Sequence, residues 1–327
     1  MPQARRVVAQ HVQNSCESRS AAIIPLIFTK CKSIFTVKGL LYRGHVIYCV
    51  SYILRDFLKL EGYIMKLDYT IWDPTKNITL LVSSPVPRAE QADVAAKLMA
   101  ERPRVEQVGF LEDASLPGAV LRLQMMGGEF CGNASMSAAA YAARRDGLDS
   151  PDIPLEVSGY GGLLRCRLDR RDDGLWGTVN MPLPERIAAA ELPGIGDVPA
   201  VVFNGITHCI VPADAITREA AEAAVRPLCA ALTADACGIL LYDESASAFT
   251  PLVYVRSTDT AVWESGCGSG SAAVGAYLAS RANASKTANL RQPGGTITVS
   301  AEWKNSRVFA LTITGHVALL EQGNCEV

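Results

Sequence analysis

The chain has 327 residues, 49% of them hydrophobic and 20% charged, with a formal net charge of −2. That length holds two ordinary domains or one large one, and the composition is that of a globular chain with a sizeable core. The near-neutral balance gives no reason to invoke nucleic acid or a membrane surface, and no apolar run approaches the length that crosses a bilayer.

Composition changes at Met65. Residues 1–64 carry nine Lys/Arg against three acids, a local charge of +6, which leaves −8 for residues 65–327. This first segment sustains neither a helical nor a strand period. It is read as a non-native or disordered N-terminal extension, with translation starting at Met65, and is set aside from fold reasoning. A transit peptide or a true accessory segment are the competing readings; the h-region and cleavage pattern of a secretory signal are missing.

Beyond Met65, strands are expected at Thr79–Ser83 and Ala119–Met125, then a helix starting at Cys131. Strands follow at Leu163–Leu168, Gly177–Asn180, Val201–Asn204, Gly238–Tyr242 and Leu252–Arg256, then a second helix starting at Cys267. Thr296–Val299 and Phe309–Thr314 close the series. Turn signals at Asp172-Asp173-Gly174 and Pro293-Gly294-Gly295 join neighbouring strands as hairpins.

The two helices carry an internal repeat. Residues 131–145 read CGNASMSAAAYAARR and residues 267–281 read CGSGSAAVGAYLASR, identical at seven of fifteen positions, among them Cys-Gly, Ser135/Ser271, Tyr141/Tyr277 and Arg145/Arg281. Each follows a short glycine-containing turn and enters an alanine-rich, helix-favouring stretch. The fold class is therefore α/β (α+β): two pseudo-symmetric halves, each a curved, mostly antiparallel sheet wrapped around a central helix.

A cysteine at a helix start meets unpaired N–H groups and a partial positive charge, which favour its thiolate and lower its pKa toward neutrality. The same N–H groups can grip a carboxylate. Two such cysteines from equivalent halves predict one amino acid held between two helix ends. One thiolate would remove the Cα proton while the opposing thiol protonates the other face. The helix ends would stabilise the enediolate-like intermediate. No cofactor is expected, since no dinucleotide fingerprint or phosphate loop is present, and no metal, since the ten cysteines and four histidines form no ligand cluster. The thiols are read as reduced and the compartment as cytoplasmic. Buried structural cysteines, or a disulfide between the two, are the competing readings.

At these segments the sequence resembles the diaminopimelate epimerase family, over nearly all of residues 65–327. Cys131-Gly132-Asn133 and Cys267-Gly268-Ser269-Gly270 resemble its two catalytic elbows. Asn204–His208 resembles its Gly-Asn-Pro-His segment, Val179–Pro182 the strand that closes its first domain, and Thr314–Ala318 its final strand. The resemblance implies a first domain at 65–182, joined by strand 316–327, and a second at 183–315, with the active site between them. It implies Cys131 and Cys267 as the catalytic pair. Gly132, Asn133, Gly268 and Ser269 would bind the α-carboxylate through backbone and side chain; Asn77 would touch the substrate, and His208 would lie beside a catalytic cysteine.

Two departures bear on the substrate. Ile206 and Ala236 stand where diaminopimelate epimerases place asparagines for the distal end of their substrate. The family's Glu-Arg pair reads Val255-Arg256, which leaves Arg256 as a carboxylate binder and Glu129 or Glu264 as charge partner. Gly128–Ala134 is more similar to the histidine racemases of the same fold, which supply D-histidine for opine metallophores of the staphylopine type. L/D-histidine is therefore the expected substrate. The alternatives are diaminopimelate, a same-fold dehydratase or isomerase, a proline-type racemase, and a non-catalytic amino-acid-binding protein. The sheets permit a homodimer without demanding one.

Overall fold

The computed structural model describes residues 64–148, 152–257 and 259–327, and residues 64–327 form one compact unit. The expected extension thus lies outside the described residues except for Ile64. The first half comprises β1 (Lys66–Pro74), β2 (Thr79–Val82), a 3-10 turn at Arg88–Glu90, α1 (Gln91–Glu101), β3 (Gln107–Glu112) and β4 (Leu121–Met125). It continues with α2 (Gly132–Asp146), β5 (Asp152–Val157), β6 (Leu163–Arg171) and β7 (Gly174–Asn180). The second half comprises β8 (Arg186–Leu192), β9 (Gly196–Phe203), β10 (Ile206–Pro212), α3 (Arg218–Ala231), β11 (Ala236–Asp243) and β12 (Ala248–Val255). It ends with β13 (Thr260–Trp263), α4 (Gly268–Ala282), β14 (Lys286–Gln292), β15 (Gly295–Lys304) and β16 (Arg307–Glu326).

The pairing order runs twice. In the first half β1–β2 is antiparallel, β2–β3 parallel, β3–β4 antiparallel, β4–β5 parallel, then β5–β6 and β6–β7 antiparallel. The second half repeats this with β9–β10, β10–β11, β11–β12, β12–β14, β14–β15 and β15–β16. Every parallel pair is bridged by one of the four helices of the described residues, because parallel neighbours need a crossover and a helix supplies it. The repeat seen around the two cysteines is thus the most conspicuous part of a repeat in topology.

β16 joins the halves. Its first part pairs with β15, Thr312–His316 pairs with β7, and Val317–Glu326 pairs with β1. Both central helices, α2 and α4, lie in one continuous apolar core with Val179, Val299, Ile313 and Val317. α1 and α3 pack on separate, smaller clusters. Alanine fills the central helices because the sheets wrap them closely: a side chain at Gly275 would start 2.4 Å from Val299 Cγ2. The helices end in left-handed residues, Gly147 and Asn283, that turn the chain back onto the sheet.

A buried carboxylate pins the first half. Glu156 of β5 accepts the backbone N–H groups of Ser115 (2.6 Å) and Leu116 (2.9 Å), the Ser115 hydroxyl (2.8 Å) and the Arg122 guanidinium. The backbone donors lead in holding its carboxyl down at about 2. A depressed folded pKa adds stability above the unfolded value and loses it as pH falls toward 2. Glu156→Gln is expected to cost about 2 kcal/mol at pH 7, lowering Tm by roughly 5 °C. That gap should close as pH approaches 2. Thermal unfolding across pH checks this, and a gap unchanged from pH 7 to pH 2 would contradict it.

Candidate active site

Cys131 and Cys267 are the N-cap residues of α2 and α4, each in extended conformation. Cys131 Sγ accepts the Ala134 N–H at 3.4 Å, and Cys267 Sγ accepts the Gly270 N–H at 3.2 Å. One turn on, the Ser135 hydroxyl donates to the Cys131 carbonyl (2.7 Å) and the Ser271 hydroxyl to the Cys267 carbonyl (2.8 Å). The repeated serine is therefore a clasp for each cap. Among the described residues, the N–H groups of Gly132, Asn133, Gly268 and Ser269 have no acceptor, which leaves them for a ligand anion.

The two helix starts meet. A side chain at Gly132 would begin 3.0 Å from Ile313 Cδ1, and one at Gly268 would begin 2.9 Å from the same atom and 3.5 Å from Asn133 Oδ1. Glycine at both positions lets the ends converge on this isoleucine of β16. Asn133 Nδ2 then crosses to the second half, donating to the Gly266 carbonyl at 3.1 Å and to Asn77 Oδ1 at 3.1 Å. Asn77 belongs to the loop after β1, where Thr75 and Lys76 take left-handed conformations. That loop lies so close to the second half that a side chain at Gly266 would start 2.3 Å from the Thr75 carbonyl.

His208 is wholly buried, with Nε2 2.9 Å from Ser269 Oγ, which in turn lies 3.5 Å from Cys267 Sγ. Among the described residues Nδ1 has no partner, and it faces Gly238 so closely that a Cβ there would stand 2.1 Å away. Burial pushes the imidazole down to about 3, so it is neutral at pH 7. In the tautomer protonated on Nε2 it donates to Ser269, whose own hydroxyl can then point at the sulfur.

The electrostatics correct one sequence expectation. Burial raises Cys131 to about 11, with the Ala134 N–H opposing, and raises Cys267 well above its ordinary value. The helix-end field contributes about 0.3–1 kcal/mol, whereas desolvation can shift a buried group by several pKa units. Desolvation wins, and the thiolate is the minority form of either sulfur at neutral pH. Glu264 lies against Cys267; burial, helped by the Glu106 charge, lifts its carboxyl to about 7. Its charge bears on both sulfurs, while Glu129, on the exposed turn before Cys131, bears on Cys131.

The fold thus gathers Asn77, Cys131, Gly132, Asn133, His208, Glu264, Cys267, Gly268 and Ser269, with Glu129 at the rim. Arg256 is placed otherwise: its guanidinium donates to the Cys229 carbonyl at 2.6 Å, at the end of α3. Three residues of the network were not singled out in the sequence. Gln107 donates to Asn77 Oδ1 and Thr79 Oγ1, both at 2.7 Å, and reaches the Cys131 thiol. Glu106 accepts from Asn77 Nδ2 at 2.8 Å. Gln292 accepts the Cys267 N–H at 2.6 Å and donates to Ser271 Oγ at 2.9 Å. All three are polar residues at strand ends, and no local motif marks them.

Comparison with known proteins fits this geometry. A histidine racemase of Staphylococcus aureus (strain Mu50) is 29% identical over 271 residues, covering 80% of this chain and 98% of that one. A histidine racemase of Fusobacterium nucleatum is 29% identical over 273 residues, covering 81% and 98%. Among solved structures, a hydroxyproline epimerase of Agrobacterium vitis superposes with a TM-score of 0.59 at 15% identity, covering 80% of this chain and 93% of that one. A methylitaconate-delta-isomerase gives 0.53 at 11%, covering 81% and 96%. At such identities the structures speak for the fold alone, an epimerase-type α/β fold of two halves. The chain is an isomerase of the amino-acid racemase class. The family model for the histidine racemase CntK N-terminal domain matches residues 66–325, and the chain belongs to that family.

Proposed function

We propose that the chain interconverts L- and D-histidine without a cofactor, Cys131 and Cys267 acting on opposite faces of Cα. The observation that carries this reading is the matched pair of sulfurs at two helix starts that converge on Ile313. One sulfur, as thiolate, takes the Cα proton and becomes a thiol. The opposing thiol gives its proton to the other face and becomes the thiolate. Between the two transfers the carboxylate carries the displaced electron pair, stabilised by the free N–H groups of Gly132, Asn133, Gly268 and Ser269. Protons balance, and the two sulfurs exchange protonation states with each turnover.

The substrate assignment rests on the walls. Ile206 and Ala236 are register partners on β10 and β11, and they precede His208 and Gly238 by two residues, so they share those residues' faces. Apolar groups there would leave the distal zwitterion of diaminopimelate unpaired, a cost on the order of several kcal/mol. The names borne by the S. aureus and F. nucleatum relatives support histidine.

Reduced protein incubated with L-histidine in deuterium oxide, without added cofactor, should lose the Cα proton signal and approach equal enantiomers. Exchange with LL-diaminopimelate but not histidine would overturn the substrate assignment and keep the mechanism. No exchange with any of a panel of amino acids would overturn both.

A further inference from the structure

We infer that the Asn133 side chain is the acceptor for the substrate's α-ammonium group, an assignment resting on the amino-acid racemase reading above. The orientation of this amide follows from its neighbours. Glu106, as a carboxylate, can only accept, so the Asn77 amide nitrogen faces it at 2.8 Å. Asn77 Oδ1 must then face donors, and receives Gln107 Nε2 at 2.7 Å and Asn133 Nδ2 at 3.1 Å. The second hydrogen of Asn133 Nδ2 goes to the Gly266 carbonyl at 3.1 Å. Reversing the Asn133 amide would set its oxygen against two acceptors at once. The chain Glu106–Asn77–Asn133 therefore has one direction.

That direction leaves Asn133 Oδ1 as an acceptor without a partner among the described residues, on a residue 2% exposed. It lies beside the first turn of α4, 3.5 Å from where a side chain at Gly268 would begin. A buried orphan acceptor is costly, and this one sits among the N–H groups that await an anion. A carboxylate cannot satisfy it, because oxygen would meet oxygen. The expectation that the Asn133 side chain grips the carboxylate therefore gives way: the backbone N–H keeps that role, and the side chain needs a donor.

The surrounding carboxyl groups favour a cationic donor. None of the ion pairs among the described residues includes Glu106, Glu129 or Glu264. Glu129 and Glu264 bear on the thiols and Glu106 on Glu264, with no cation paired to any of the three among the described residues. An ammonium on Cα supplies both the missing proton donor and the missing charge. The pseudo-symmetric position, Ser269, is engaged by His208, so the wholly unpartnered acceptor lies on one side only. This asymmetry suits the reaction. As the Cα proton passes from one face to the other, carboxylate and ammonium stay near the plane between the sulfurs, and one fixed ammonium site serves both enantiomers.

The test uses three ligands that differ at one atom on Cα: L-histidine, the α-hydroxy analogue imidazole lactate, and the des-amino analogue imidazole propionate. Affinities for the unmodified protein, by calorimetry, should fall in that order, about tenfold from hydroxyl to hydrogen and more from ammonium to hydrogen. In Asn133→Ala the ratio of hydroxy to des-amino affinity should fall toward one, over and above any loss common to both ligands. Equal affinity of the hydroxy and des-amino analogues in the unmodified protein would overturn the assignment without recourse to the variant. So would an undiminished preference in a folded Asn133→Ala. If a different amino acid exchanges its Cα proton, only histidine is lost, and the same three-ligand series is run on that amino acid. If none exchanges, the racemase reading and this assignment fall together.

Discussion

Alanine at Cys131 or at Cys267 is expected to lower racemisation on the order of 10³-fold or more. Each sulfur caps the helix start that meets the convergence point, and inversion needs one acid–base group on each face. The loss should be specific in form. The surviving thiol can still remove and return a proton on its own face, so each variant should exchange the Cα proton of one enantiomer with retention, and the two variants should select opposite enantiomers. Chiral chromatography and proton NMR in deuterium oxide read both outcomes. Racemisation within tenfold of the parent in either variant would sink the two-thiol mechanism. The fold should survive, because Sγ contributes one weak N–H···S contact at each cap while the serine clasp and the backbone remain.

The rate should rise steeply with pH. Burial lifts Cys131 to about 11 and Cys267 well above its ordinary value, so near neutrality the thiolate is a small fraction of either sulfur. kcat/KM, which reports the free enzyme, should gain about tenfold per pH unit between pH 7 and 9. Below pH 7 the fall should steepen, as Glu264, held at about 7, becomes protonated and the site loses a negative charge that an ammonium would meet. Glu264 also raises Cys267 through its charge. Glu264→Gln should therefore shift the rising limb toward lower pH while raising KM. A profile flat from pH 6 to 9 would mean that a thiolate is already present in the free enzyme and that the helix ends outweigh burial after all.

Much of this arrangement was legible in the chain. The two Cys-Gly-x-x-Ser segments marked the helix starts, because an N-cap is a local event set by a turn, a cap and the first helical residues. The nine expected strands overlap β2, β4, β6, β7, β9, β11, β12, β15 and β16. Two helices were passed over. α3 buries Ala221, Val225, Leu228 and Cys229 at helical spacing, but an internal Pro227 interrupts the pattern. α1 has a short apolar stripe, Val94, Ala95 and Leu98, in a polar run. The strand at Thr207–Val211 was hidden because it is buried on both faces and lacks the alternation that identifies a half-exposed strand.

By itself the sequence determined the repeat, the two cysteines at their helix starts, the α/β class and the resemblance to epimerases, since each depends on residues adjacent in the chain. Tertiary structure alone decided how those groups work. It brought Gln107, Glu106 and Gln292 to the two caps from strand ends far off in sequence, and turned Arg256 to the carbonyl of Cys229. It directed the Asn133 amide through a hydrogen-bonded chain that begins at the Glu106 carboxylate, just before β3. It also reversed the expected thiol acidity, because a helix end favours the thiolate modestly whereas burial, which no local pattern reports, disfavours it more.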